Sequence, residues 1–128
     1  MSLKLVIAET IGIDEKILNE LAKDILPQDV EIKYYNSLAD SDEEKIKRCK
    51  DADAVIIANK PYRENVLKAC SNLKMLSVAF TGVDHVDMDY CHEHDILVSN
   101  CLGYANEAVS ELVIGMCISL YRKLAECG

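Results

Sequence analysis

The pair Thr81 and Gly82 is the strongest candidate for chemistry in this sequence, because it lies just beyond the apolar run at residues 75–79. A glycine allows a ligand to approach the backbone closely and also permits a positive φ. The exposed N–H groups of such a turn can receive a carboxylate. A tight turn can also require glycine for its geometry alone, so the pair by itself is weak evidence for an anion-binding turn.

Charged residues near this turn have simpler interpretations. Either Asp84 or Asp87 could cap a short helix that follows, and we favour that role over catalysis. His85 is interpreted as a residue that structures the loop. Lys60, in the loop after an earlier apolar run, could attract an anion, although most loop lysines are simply solvated.

The segment CHEH at residues 91–94, followed by Cys101, invites a zinc interpretation. Thiolate and imidazole groups three residues apart on one helix can reach a common metal, but a closed structural site needs four ligands with short paired spacings. No Cys-x-x-Cys pair occurs in the sequence. We therefore predict no metal site, and no catalytic Cys–His pair, which would lack a third group to position it.

Strand and helix patterns alternate along the chain, and they set the positions of these residues. Strands are predicted at residues 3–8, 30–35, 54–58, 75–79 and 96–99. Helices are predicted at residues 14–26, 41–50, 63–70, 87–92 and 104–125. This alternation is typical of a five-stranded parallel sheet of flavodoxin-like type, a three-layer α/β fold with helices on both faces. Because parallel strands end at the same edge, the loops that carry Lys60 and Thr81 should share one rim.

Length, charge and composition exclude several classes of protein. With no internal linker or repeat, residues 1–128 are predicted to form a single domain. The formal net charge of −8 argues against nucleic acid as a partner, since binding to phosphates depends on cationic groups. The absence of a signal peptide and of any apolar run of about 20 residues predicts a cytoplasmic protein without a membrane span. The six cysteines are then expected to be reduced thiols.

Residues 73–124 resemble the first domain of the D-isomer-specific 2-hydroxyacid dehydrogenases, a family that includes phosphoglycerate, glyoxylate and lactate dehydrogenases. The resemblance rests on TGVDHVD at residues 81–87, on a strand ending at Asn100, and on NEAVSE at residues 106–111, which opens the long helix. In that family the Gly-x-Gly-x-x-Gly fingerprint and the catalytic Arg, Glu and His lie beyond the long helix. The resemblance therefore implies a substrate-binding domain without its NAD-binding Rossmann domain, and it assigns no catalytic residue to this chain.

The resemblance also implies roles for individual residues. Thr81 and Gly82 correspond to the pair that binds the substrate carboxylate through backbone amides, and Lys60 lies in the loop that lines the substrate pocket. Thr81 and Val109 correspond to residues beside the nicotinamide of NAD. The intact enzyme would transfer hydride between NAD and a small 2-oxo or 2-hydroxy acid. This chain alone is expected to bind NAD weakly and to show no turnover.

Apolar residues surround almost the whole circumference of the helix predicted at residues 104–125. A helix packed on one face of a sheet needs only an apolar stripe. The remaining apolar surface predicts a contact with another protein surface. In the family that the chain resembles, the corresponding helix leads into the cofactor domain and contributes to the dimer interface, which implies a homodimer through this helix.

Two other classes of function fit part of the sequence. A response-regulator receiver has a similar length and layout. It requires clustered acids after the first strand and an Asp at the end of the third, where this chain has Ala58 and Asn59. A stand-alone module that binds a small acid or another protein, with the same fold but no chemistry, stays open.

Overall fold

The computed structural model describes residues 2–127. Within them, five strands form one sheet: β1 Lys4–Ile7, β2 Glu31–Tyr34, β3 Ala54–Ile57, β4 Met75–Val78 and β5 Leu97–Asn100. Five helices alternate with the strands: α1 Glu15–Ile25, α2 Asp42–Cys49, α3 Glu64–Leu67, α4 Met88–Glu93 and α5 Asn106–Tyr121. Each strand lies within one residue of the bounds that the sequence predicts.

All neighbouring strands are parallel, and their order is β2-β1-β3-β4-β5. This is the order of flavodoxin-like sheets, in which the direction of strand addition reverses between β1 and β3. The predicted fold class is therefore confirmed. The connections that follow the strands leave the sheet at its carboxyl edge, where ligands of such folds bind.

Two helices are shorter than their sequence patterns predict. The helix expected at residues 63–70 is confined to α3, because the amides of Ala69 and Cys70 bond to carbonyls three residues back and form tight turns. The helix expected at residues 104–125 is confined to α5. Lys123 adopts a positive φ of 53° just beyond it, and a left-handed residue ends an α-helix.

Side-chain caps set where the first two helices begin. Asp14 accepts a hydrogen bond from the Lys16 N–H before α1, and Ser41 accepts one from the Glu44 N–H before α2. Each bond satisfies an N–H group that has no partner within its helix. The helix starts read from the sequence are therefore confirmed at both positions.

One face of the sheet is covered by α2, α3 and α4, and we call it the closed face. Alternate residues of a strand point to the same face. On the closed face of β3 and β4 these residues are Val55, Ile57, Leu76 and Val78, each at most 1% exposed. They form one apolar cluster with side chains of the three covering helices.

The opposite face, which we call the open face, is only partly covered. α1 contributes no buried side chain, and its apolar residues Ile17, Leu21 and Ile25 are each at least 50% exposed. The end of α1 borders an apolar groove of about 440 Å³ that runs over β1, β3 and β4. The chain therefore leaves apolar surface uncovered on this side.

α5 is exposed along its whole length. None of its side chains is buried, and Leu112, Ile114, Leu120 and Tyr121 are each at least 60% exposed. Among residues 2–127, no helix combines the length and the apolar composition needed to cross a membrane. Like the open face, α5 presents apolar side chains without a covering element from the described residues.

Candidate functional site

The candidate site lies at the carboxyl edge of the sheet, where the connections after β1, β3, β4 and β5 meet. Backbone hydrogen bonds continue the sheet past the ends of the strands. The Ala79 N–H donates to the Ile57 carbonyl at 2.8 Å, and the Cys101 N–H donates to the Phe80 carbonyl at 3.0 Å. We call this edge the rim.

Thr81 is tied to the end of β5. Its Oγ1 donates to the Cys101 carbonyl at 3.2 Å, and Asn100 Nδ2 donates to the Thr81 carbonyl at 2.6 Å. These bonds fix the peptide that leads into Gly82, although Thr81 itself is exposed. The turn is thus held in place while its surface faces solvent.

Gly82 is favoured by the limited space around it rather than by an unusual backbone conformation. A β-carbon added there would lie 2.8 Å from Asp84 Oδ1, which is too close for an ordinary contact. Gly82 does not use the positive φ that glycine permits, since the glycines with positive φ among residues 2–127 are Gly12 and Gly103. Because the Asp84 side chain can rotate, an alanine at position 82 would add a methyl group to the turn without breaking the fold.

The backbone amides of this turn are available to a ligand. Within residues 2–127, neither the Thr81 nor the Gly82 N–H donates a hydrogen bond to another residue. Both residues are exposed. Two adjacent N–H groups without a partner in the described part of the chain are available to donate hydrogen bonds to a bound carboxylate.

Tyr62 holds the other end of the same loop, and the sequence analysis missed it. Its side chain is 2% exposed. Its N–H donates to the His85 carbonyl at 2.9 Å, and its carbonyl accepts from the Asp87 N–H at 3.0 Å. Asp87 in turn caps α4 by accepting from the Tyr90 N–H at 3.1 Å, which confirms its capping role. Burial raises the pKa of the Tyr62 hydroxyl far above its ordinary value, so this group stays neutral.

Lys60 lies on the rim, but its charge is engaged away from the turn. Its ammonium lies 2.7 Å from Asp40 Oδ1. This hydrogen-bonded ion pair raises the pKa of Lys60 and lowers that of Asp40. Asp40 follows β2 whereas Thr81 follows β4, and those strands lie on opposite sides of β3. The Lys60 side chain is therefore directed away from the Thr81 turn.

Glu9 is the second rim residue that the sequence analysis missed. It follows β1 and is 1% exposed. Its Oε1 accepts hydrogen bonds from the Ala58 N–H at 2.9 Å and from the Lys60 N–H at 3.4 Å. Oε2 is buried and has no hydrogen-bond partner within residues 2–127. The signal that could have revealed it is an acidic residue directly after a buried strand.

Val109 lies near the start of α5 and is 55% exposed. With its neighbour Leu112 it forms part of the exposed apolar surface of α5. The pyrophosphate of a dinucleotide requires a glycine-rich turn at a helix N-terminus. No Gly-x-Gly-x-x-Gly sequence occurs in the 128 residues. The 128 residues therefore lack the sequence that binds the phosphates of NAD.

The cysteine and histidine residues considered for zinc are separated in the structure. Cys91 is buried in the core at 1% exposure, whereas Cys101 is exposed on the rim. His94 stacks on Tyr90, with the ring centroids 3.9 Å apart. Over residues 2–127, no group of three or more His, Cys, Asp or Glu side chains is arranged to hold a metal ion.

A parallel sheet of flavodoxin-like order, with exposed amides beyond its strand ends, defines an α/β domain of the kind that binds small molecules. The family model of the D-isomer specific 2-hydroxyacid dehydrogenases, catalytic domain, matches residues 5–120 of this chain. The chain belongs to that family. The resemblance found in the sequence is therefore confirmed.

Individual relatives agree with this assignment. A putative 2-hydroxyacid dehydrogenase from Haemophilus influenzae is 38% identical over 85 residues, which are 66% of this chain and 27% of the relative. The NAD+-bound 3-phosphoglycerate dehydrogenase of Entamoeba histolytica matches with a TM-score of 0.77 at 29% identity, over 96% of this chain and 40% of that structure.

A D-lactate dehydrogenase from Aquifex aeolicus, in complex with NAD and lactic acid, has a TM-score of 0.73 at 25% identity. The match covers 97% of this chain and 35% of that structure. The chain thus spans between a quarter and two fifths of the length of these three relatives.

Proposed function

We propose that this chain is the substrate-binding domain of an NAD-dependent D-2-hydroxyacid dehydrogenase, and that it holds a small 2-oxo or 2-hydroxy acid during hydride transfer. The observation that carries the proposal is the turn at Thr81 and Gly82. Its unbonded amides lie at the ligand-binding edge of the sheet, in a chain of that family.

The substrate carboxylate is received by the N–H groups of Thr81 and Gly82. A carboxylate that accepts two backbone hydrogen bonds is held in one orientation, and this fixes the direction in which its 2-carbon points from the rim. Thr81 is kept in place by its bonds to the end of β5. NAD supplies the hydride chemistry when it is bound, and Thr81 and Val109 contact its nicotinamide end.

Lys60 lies on the same rim as the Thr81 turn, although its side chain is directed toward Asp40. Because its ammonium is paired with Asp40, its attraction for an anionic substrate is reduced. Its contribution to affinity should therefore be smaller than that of the Thr81 and Gly82 amides.

The proposal is tested by titrating the isotope-labelled chain with pyruvate, glyoxylate and hydroxypyruvate while its backbone amide resonances are followed. We expect shifts centred on Thr81 and Gly82. In Gly82→Ala these shifts should be weakened, because an added β-carbon would lie 2.8 Å from Asp84 Oδ1 and the turn must rearrange to make room for it. Gly115→Ala is the matched control in α5, where an added β-carbon meets nothing within 4 Å. Shifts on other surfaces alone, or none, would contradict the proposal.

No turnover is expected from these 128 residues alone, because they contain no phosphate-binding glycine sequence. The check is the absorbance of NADH in the presence of glyoxylate, pyruvate or hydroxypyruvate. Measurable NADH oxidation by the purified chain would overturn this part of the proposal.

The same proposal includes a homodimer contact through α5. Its exposed apolar side chains, Leu112 and Tyr121 among them, are the kind of surface that subunit interfaces cover. Leu112→Glu is expected to convert a dimer to a monomer in sedimentation analysis. Leu21→Glu, at 50% exposure on α1, makes the same change on another surface and should leave the dimer intact. A parent chain that sediments as a monomer would contradict the proposed homodimer contact.

A further inference from the structure

The turn after β3 is held by a side chain that follows β1. Glu9 Oε1 accepts from the Ala58 N–H at 2.9 Å and from the Lys60 N–H at 3.4 Å. These two amides are two residues apart in the chain and converge on one oxygen, as the amides of an anion-binding concavity do. Here the bound anion belongs to the protein itself.

Glu9 lies at the point where the strand order reverses. β1 and β3 are neighbours, but the chain leaves β1 toward β2 and leaves β3 toward β4. Ligands of such sheets bind in the crevice that this divergence creates. Glu9 occupies the base of the crevice at 1% exposure. Because a buried carboxylate is unfavourable without hydrogen bonds, its place there depends on the two amides that it binds.

The turn that Glu9 holds leads directly to the candidate site. Two residues beyond Lys60, Tyr62 forms two backbone hydrogen bonds with the loop at residues 81–87. The segment at residues 58–62 is therefore fixed to Glu9 at one end and to the Thr81 loop at the other.

We propose that Glu9 is the positioning residue of the rim: its buried carboxylate fixes the backbone of residues 58–60 and, through Tyr62, the loop that receives the substrate carboxylate. The last clause rests on the proposed function, whereas the fixing of residues 58–60 does not. Since Glu9 occupies the amides after β3, an external carboxylate is left with those of Thr81 and Gly82. Glu9 thus decides which of two neighbouring anion-binding turns is open to substrate.

The contact can be tested in the unaltered chain by through-hydrogen-bond NMR couplings. A coupling is expected between the Ala58 amide nitrogen and the side-chain carboxyl carbon of Glu9. Couplings across the neighbouring strands β1 and β3 provide the internal reference. If those are resolved and the Ala58 coupling is absent, the proposal is overturned.

Two variants of Glu9 distinguish a role in positioning the backbone from a role in packing alone. In Glu9→Ala, amide hydrogen exchange at Ala58 and Lys60 should be roughly tenfold faster or more, as loss of a hydrogen bond to a charged group implies. Millimolar acetate should slow the exchange again by binding the vacated amides, whereas uncharged acetamide should not. Glu9→Gln keeps an acceptor at the same place and should exchange at close to the wild-type rate.

Unchanged exchange in Glu9→Ala, or a change that acetate does not reverse, would overturn the proposal, because a packing role predicts no rescue by a carboxylate. If Glu9→Ala does not fold, the coupling and Glu9→Gln decide the question. The shifts that pyruvate causes at Thr81 and Gly82 should weaken in Glu9→Ala and recover in Glu9→Gln. If coupling and rescue are seen but pyruvate never shifts Thr81, the proposed function fails while Glu9 still holds residues 58–60.

Discussion

The closed face of the sheet and the helices α1 and α5 carry similar apolar side chains but differ in how the chain covers them. On the closed face, Leu76 is fully buried and Val55 is 1% exposed. On α1 and α5, Leu21 is 50% and Leu112 is 62% exposed. The same residue type is therefore core in one region and surface in the other. The difference lies in which covering elements the described residues provide.

This contrast bears on the candidate site because the rim joins the two regions. Tyr62, which anchors the loop bearing Thr81, belongs to the buried cluster of the closed face. Val109, which we propose to face the nicotinamide, lies on exposed α5. The substrate-binding half of the site is thus supported by a packed core, whereas the surface proposed for the cofactor is not.

The largest expected effect is on the free energy of unfolding, when one buried leucine and one exposed leucine are each replaced by alanine. Leu76→Ala should lower the free energy of unfolding by about 2–5 kcal/mol, because it removes a fully buried side chain. Leu112→Ala should change it by about 0.5 kcal/mol or less, since the side chain is exposed. Urea unfolding of both variants in dilute solution checks the comparison. Similar losses would show that α5 is packed.

Reaction with a thiol reagent should separate the buried cysteines of the closed face from the exposed cysteines. Burial raises the pKa of Cys49 to about 11 and that of Cys70 to about 12. With a thiol-reactive dye at mildly alkaline pH, the buried thiols should react about a hundredfold or more slowly than exposed ones, since the thiolate is the nucleophile. The fast group should be Cys101, Cys117 and Cys127, and all six should react in denaturant. Fast labelling of Cys49 in the native protein would contradict its burial on the closed face.

A smaller loss is expected from the buried cation of α2. Arg48 is 8% exposed, and its Nη1 donates to the Ala8 and Ser37 carbonyls, each at 2.8 Å. Arg48→Met should cost about 1–3 kcal/mol, because those carbonyls lose their partner. Lys47→Met, at the exposed neighbouring position, should change the unfolding free energy little. Equal effects in thermal or urea unfolding would argue against the Arg48 contacts.

The smallest expected effect is the pH dependence of the stability that Asp53 contributes. The Lys4 N–H, 3.0 Å from Asp53 Oδ2, and then Lys74 lower the pKa of Asp53 below its ordinary 3.8. A carboxyl whose folded-state pKa is depressed stabilises the fold above its unfolded-state pKa, and this stabilisation is lost as the pH falls through the folded-state pKa. Asp53→Asn should therefore be slightly less stable than the parent at neutral pH, and the gap should close below pH 3.8.

Asp51→Asn removes one negative charge at an exposed position close in sequence, and it controls for the change in net charge. A stability difference between Asp53→Asn and the parent that does not change from neutral to acid pH would contradict the assigned interactions.

The sequence predicts the sheet almost residue by residue, because buried parallel strands are short apolar runs bounded by loops. It also predicts the Asp87 cap and the place of Thr81 on the rim. These features depend on neighbours within a few positions in the chain. The bounds of α5 were less well predicted, because its uniform apolar character gives no signal for where the helix ends.

The residues that hold the rim together were not predictable in the same way. Glu9 and Ala58 are 49 residues apart, and their contact exists only after β1 and β3 pair. Tyr62 acts on the 81–87 loop through backbone groups, which leave no mark in residue type. The space at Gly82 is limited by the Asp84 side chain, and the sequence does not show how that side chain is oriented.

The measurement that tests the central claim most directly is a crystal structure of this chain grown with pyruvate. The account predicts the pyruvate carboxylate within hydrogen-bonding distance of the Thr81 and Gly82 N–H groups, with Glu9 still bonded to Ala58. A pyruvate molecule bound instead in the groove of the open face or against α5, with the Thr81 turn unoccupied, would contradict it.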